Sequence, residues 1–164
     1  MTPASPSNPL ATLLRMLDEA FDHRAWHGTN LRGSLRGLTP QQAAWRPAPK
    51  RHNIWEVALH AAYWKYAVRR RLTGEKRGSF ALKGSNWFAR PAGPPLEAAW
   101  RADLALLERS HRELRAAVEK LSPAILGRRA SGLKTTPFDL ILGVAFHDVY
   151  HASQIQLFKR LQKS

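Results

Sequence analysis

Apolar positions recur along most of the chain at intervals of three and four residues, the period of one helix face, and no segment alternates as a strand would. The first run holds Leu10, Leu13, Leu14, Leu17, Phe21, Leu31 and Leu35. Asn8 followed by Pro9 supplies its cap and first turn. This predicts one helix through about Leu35, weakened or kinked in its later turns by Gly28, Gly33 and Gly37. Thr39 and Pro40 start a short helical piece that ends at Ala44, and RPAPKRH closes it as a loop. Asn53 with Glu56 reads as a capping box opening a second long helix that runs to about Leu72 and stops at Gly74.

That second helix carries two apolar strips. Ile54, Val57, Ala61, Trp64, Val68 and Leu72 form the inner one, while Trp55, Leu59, Ala62 and Tyr66 form another. Two strips mean burial on both sides or a partner chain, and a homodimer covering the second strip, with Trp26, is the expectation. Glu75 to Pro95 is too rich in Gly and Pro for a regular element, and loops of such length commonly shape a site. A third helix follows from about Leu96 to Leu121, with Trp100, Leu104, Leu107, His111, Leu114, Val118 and Leu121 on one stripe. Thr136, Pro137 and Asp139 then mark the start of a fourth helix that reaches nearly to the C-terminus. The prediction is an all-α, single-domain chain over 1–164 with a flexible tail at 1–8. Its four long helices form a bundle in up-down-down-up order, the loop after the second helix being a crossover.

The fourth helix places Leu140, Val144, His147, His151, Gln154, Ile155 and Phe158 on one side. Two histidines one turn apart inside a core stripe can converge on a single ion, and otherwise each needs its own buried hydrogen-bond partner. His23 and His27 repeat the spacing, but His23 points away from the leucine stripe and His27 lies at its edge. Helical phase, not spacing, separates the two pairs. His60, at the edge of the inner stripe of the second helix, is the candidate third donor. Three neutral imidazoles leave the charge of a divalent ion uncompensated and a coordination position open, an arrangement that acidifies water or activates a thiol. The chain has no HExxH, and the phase of Asp148 sends it off the shared histidine face, which disfavours a metalloprotease.

Lesser candidates are His27, as a proton shuttle or support for a ligand, and Gln154, as a hydrogen-bond donor or acceptor to a ligand or substrate. His111 reads as a packed core histidine, Trp87 and Phe88 as lining of an entrance or packing over the bundle end. Arg69, Arg70 and Arg71 read as the cationic last turn of a helix.

HDVYHASQIQLFKRL resembles the closing helix of the DinB-like, or YfiT-like, superfamily of metal-dependent proteins, whose pattern there is HDxYHxGQI. RHNIWEVALHAAYWKYAVRRRLTGE resembles its second helix, and WHGTNLRGSLRGLTPQQAAWRPAP and GSNWF resemble one branch. Ser153 stands where glycine is common. The resemblance implies a divalent metal held by His60, His147 and His151, with Zn, Ni or Fe suiting the imidazoles, and often a dimer. It implies a hydrolase or a transferase using a low-molecular-weight thiol as cosubstrate.

Composition adds two constraints. The chain has no cysteine, so any thiol chemistry needs a thiol from outside. Twenty-six Lys and Arg against 12 Asp and Glu give a net charge of +14, a field that attracts nucleic acid or small acidic substrates. The basic residues are spread along the chain, so a small acidic or thiol-bearing substrate is favoured over a nucleic-acid partner. The alternative is a basic nucleic-acid-associated or stress-linked metal-binding protein without turnover. No segment has the length and apolarity of a membrane span or the form of a signal peptide, and a cytoplasmic location is expected.

Overall fold

The computed structural model describes residues 8–129 and 134–163. Among these residues are six α-helices, one short 3-10 turn and no strand. The helices are α1 (Pro9–Phe21), α2 (Leu31–Leu35), α3 (Pro40–Ala44), α4 (Ile54–Thr73), α5 (Glu97–Glu119) and α6 (Pro137–Leu161). Of the tail expected at 1–8, only Asn8 lies within the described residues. Among the described residues no helix is long and apolar enough to cross a membrane.

Short polar side chains start five of the six helices by accepting otherwise orphaned backbone N–H groups. Asn8 accepts from Leu10, Asn30 from Gly33, and Asn53 from Glu56. Thr39 with Gln42 and Thr136 with Asp139 complete full capping boxes. The box expected at Asn53 forms only in half. Its Glu56 carboxylate instead takes both Arg46 guanidinium nitrogens, at 2.5 and 2.9 Å, and the Arg90 N–H at 3.2 Å. Charge-assisted, two-pronged bonds outcompete a return to one amide.

The single first helix expected through Leu35 is two helices. α1 stops at Phe21, Gly28 takes a φ of +103°, and the Asn30 side chain caps α2 afresh, accepting from Gly33 at 2.8 Å. Asparagine favours such local caps over helix interiors, which divides the run while still burying Leu31 and Leu35.

Side-chain contacts order the long helices. Trp55 and Lys65 on α4 meet Asp103 and His111 on α5, so the contacts ascend together along both. Between α4 and α6 they descend: His60 stands edge-on to His151, Lys65 meets Asp148, and Arg71 and Asp139 line one hollow. Between α1 and α5, Asp18 pairs with Arg115 and Phe21 stacks on His111, again descending.

The chain returns from the end of α4 to the start of α5 through residues 74–96, beginning at Gly74 with φ +76°. α5 and this loop together enclose the second apolar strip of α4: Trp55 donates to Asp103 and stands edge-on to Trp100 of α5, and Phe80 of the loop packs against Tyr66. Trp55, Leu59 and Ala62 are fully buried, Tyr66 is 6% exposed, and the Tyr66 hydroxyl accepts from the amides of Gly78 and Ser79. The strip is satisfied within one chain and gives no argument for a partner. The large apolar side chains left in solvent include Trp26, Phe146, Tyr150 and Leu157.

Candidate metal centre

α4 and α6 meet where each carries histidine. His147 Nε2 lies 3.0 Å from His60 Nε2 and 3.0 Å from His151 Nε2. The three donor atoms fall within 4.8 Å of one another, and His60 and His151 are 7% and 4% exposed. Helical phase brings His147 and His151 together, and the pairing of α4 with α6 delivers His60.

The outer ring nitrogens decide what the inner ones present. His60 Nδ1–H donates to the Asn86 carbonyl at 2.9 Å, and His151 Nδ1–H donates to Gln154 Oε1 at 3.0 Å. A carbonyl oxygen only accepts, so each of these imidazoles carries its proton outside and turns a lone pair inward. His147 Nε2 can satisfy at most one of the two lone pairs facing it. A cation satisfies all three nitrogens at once, and the separation is close to the roughly 3.3 Å between donors on a tetrahedral ion.

Burial keeps these rings neutral. It is the largest cause that lowers His147 to about 3, with the positive forms of His151 and His60 and the charge of Lys65 acting the same way. It lowers His151 to about 4, opposed by the bond to Gln154, and it lowers His60 against the bond to Asn86. Neutral imidazole is the form that ligates metal.

Aromatic rings wall the cluster. Trp87 stacks on His60 at 3.8 Å between ring centres, and His52 stacks on Trp87 at 3.6 Å. Asn86 has a φ of +66°, a conformation asparagine tolerates, and its Oδ1 accepts from Trp64 Nε1 at 2.9 Å. Trp64 in turn stands edge-on to both His60 and His147. A hollow of about 180 Å³ between Trp64, Val68, Leu140 and Val144 ends at His147.

Behind the histidines lies a buried charge pair. Lys65 donates to Asp148, both fully buried, and Lys65 Nζ is 3.3 Å from His111 Nδ1 and 4.8 Å from the centre of the Phe21 ring. Burial pushes the Asp148 carboxyl up against the pull of Lys65. Asp148 faces this pair and not the cluster, as its phase predicts.

The lesser candidates separate clearly. Gln154 orients His151. His27 is exposed in a hollow with Val149, Ser153 and Gln156, on the side of α6 away from the cluster. His23 is exposed beside Asp22. His111 is a core histidine stacked on Phe21, lowered to about 2 by burial first and then by Lys65. Trp87 lines the cluster, whereas Phe88 packs in the core. Two contributors escaped the sequence reading. Asn86 acts through its backbone carbonyl, which no side-chain pattern announces; Lys65 was detectable only as a cation amid apolar α4 positions.

No curated protein and no solved structure matches the chain. The DinB superfamily matches residues 22–155, a span that takes in His60, Asn86, Trp87, His147, His151 and Gln154. The chain therefore belongs to the DinB superfamily.

Proposed function

We propose that this protein is a metal-dependent enzyme, a hydrolase or a small-thiol-dependent transferase, with His60, His147 and His151 as the protein donors. The observation that carries the reading is the inward convergence of three Nε2 atoms, two of which have their outer protons committed to Asn86 and Gln154. A divalent ion there, with zinc, nickel or iron suited to imidazole, supplies Lewis acidity to water or to a thiol brought from solution. The chain's own part is to hold the donors in one tautomer, to exclude bulk water with Trp64 and Trp87, and to leave the His147 side open through the adjoining hollow.

Metal analysis of the purified protein tests this. Wild type should hold about one divalent ion per chain. His147→Ala or His151→Ala should lose it, and His23→Ala should retain it. A wild type that takes up no divalent metal under any loading condition would sink the enzyme reading. Turnover with and without added low-molecular-weight thiol then separates transferase from hydrolase.

The contact order of the long helices supports an up-down-down-up four-helix bundle, with α1 and α6 opposed to α4 and α5. A homodimer rests on the family resemblance, and sedimentation at micromolar concentration tests it. The net charge of +14 favours a second reading, a nucleic-acid-associated protein. Duplex affinity that falls steeply with salt and ignores metal removal would support it.

A further inference from the structure

Arg71, in the last turn of α4, lines three adjoining hollows. The largest, about 580 Å³, lies between α4 and the crossover loop, where Arg70, Arg77 and Lys83 join Trp64 and Tyr66. The second, about 180 Å³, runs from Arg71 past Val68 and Val144 to His147. The third, about 220 Å³, adds Arg128 and Arg129. Trp64 and Arg71 stand where the loop cavity and the hollow at His147 meet, with the Arg71 guanidinium 5.9 Å from the Trp64 ring centre.

The charge around Arg71 is unbalanced. Among the described residues no carboxylate lines the first or the third hollow. Asp139 lines the second, and its Oδ2 accepts from the Thr136 amide and hydroxyl. Among the described residues Arg71, Arg77 and Lys83 enter no ion pair, although Arg69, two positions earlier, is paired with Glu75 and Glu113. A basic chain does not make every hollow so: the one beside Arg15, Arg24 and Arg115 also contains Asp18 and Glu19. The helix dipole accounts for cations in the last turn of α4. It does not account for Arg77 and Lys83, which come from the loop and border the same cavity.

We propose that Arg71, with Arg77 and Lys83, forms an oxyanion-binding site for a small organic ligand whose flat apolar body lies against Trp64 and whose other end reaches His147. The anion is a carboxylate or a phosphate monoester, since a guanidinium fork suits both. This deepens the metal-enzyme reading by giving its substrate a class, and it rests on that reading only for what happens at His147. The two hollows bordered by Trp64 and Arg71 together offer the size of a small-molecule pocket.

The test is calorimetric titration of benzoate and of phenyl phosphate into the metal-free and the metal-loaded full chain, with benzyl alcohol as the neutral comparison. Wild type should bind one or both anions and not the alcohol, and whichever binds more tightly identifies the oxyanion. The double variant R71Q/R77Q, and K83Q to a smaller degree, should weaken binding by about tenfold or more for the loss of charge-assisted bonds. R36Q/K120Q removes the same charge elsewhere and should stay within about twofold. His151→Ala should lose metal yet bind the anion, so failure of the metal reading leaves this result readable. No anion binding by wild type in either form overturns the site. Equal weakening in both double variants also overturns it, because the general field would then be the cause.

Discussion

His60 and Asn86 are joined by a hydrogen bond of 2.9 Å from the ring Nδ1–H to the backbone carbonyl, although 26 positions separate them in the chain. The bond ties the crossover loop to the centre of α4 and selects the tautomer that turns the His60 lone pair towards His147. The carbonyl is aimed by a backbone at φ +66°, which glycine and asparagine adopt readily and β-branched residues do not. Asn86→Gly should therefore keep metal affinity near wild type, losing only the bond to Trp64. Asn86→Val should weaken it by about 10- to 100-fold, the usual loss when the partner of a ligating histidine is removed. Competition with a chromophoric chelator measures both. Equal affinities in the two variants would show that the loop does not orient His60.

Lys65 and Asp148 bridge α4 to α6 directly behind the cluster, and neither reaches solvent. Removing one charge leaves the other stranded, so Lys65→Met should cost about 3 to 5 kcal/mol in urea unfolding. Replacing both, as Lys65→Met with Asp148→Leu, should recover most of that loss, because a well-packed apolar pair suits the interior as well. A double variant as unstable as the single one would mean that the pair also sets the register of α6 against α4.

Helical phase carried most of what could be read beforehand. His147 and His151 share a side of α6 with Val144 and Ile155, and that pattern is visible in a line of text. The long helix starts were equally plain because Asn8, Asn53 and Thr136 cap them with their own side chains. Gly28, Gly33 and Gly37 marked the later turns as weak, but a full break after Phe21 was not legible, since Leu31 and Leu35 keep helical spacing and are buried even though the intervening turn is lost. Nor was the coverage of Trp55 and Tyr66. A sequence does not say which face a loop or a neighbouring helix covers, and here α5 takes Trp55 while the loop takes Tyr66, the two ends of the strip that suggested a partner. The Asn86 carbonyl belongs to the same class, being backbone placed by a remote turn.

Acid should expose the cost of keeping histidines neutral in the metal-free protein. His111, His147 and His151 are lowered to about 2, 3 and 4, whereas in an unfolded chain they titrate near the ordinary value of 6.5. Above that value neither state is protonated, and the full stability is present. As pH falls below it, the unfolded chain binds protons that the folded chain refuses, so stability declines on acidification. Each group approaches about 1.4 kcal/mol per pH unit, and the three together about 4 kcal/mol per unit near pH 5. Against a total of about 5 to 15 kcal/mol, the three groups remove about 6 kcal/mol by pH 5 and about 10 by pH 4, so a metal-free protein in the lower half of that range should unfold between about pH 5.5 and 4. The affinity of the folded state for metal should meanwhile stay nearly flat from pH 8 down to about 5, because protons do not compete for His147 or His151 until close to their lowered values. Urea midpoints across this range and metal titrations of the folded protein measure the two halves. Stability unchanged between pH 7 and 5 would mean that the rings accept protons in place, and the inward lone pairs would then lose their standing as metal donors.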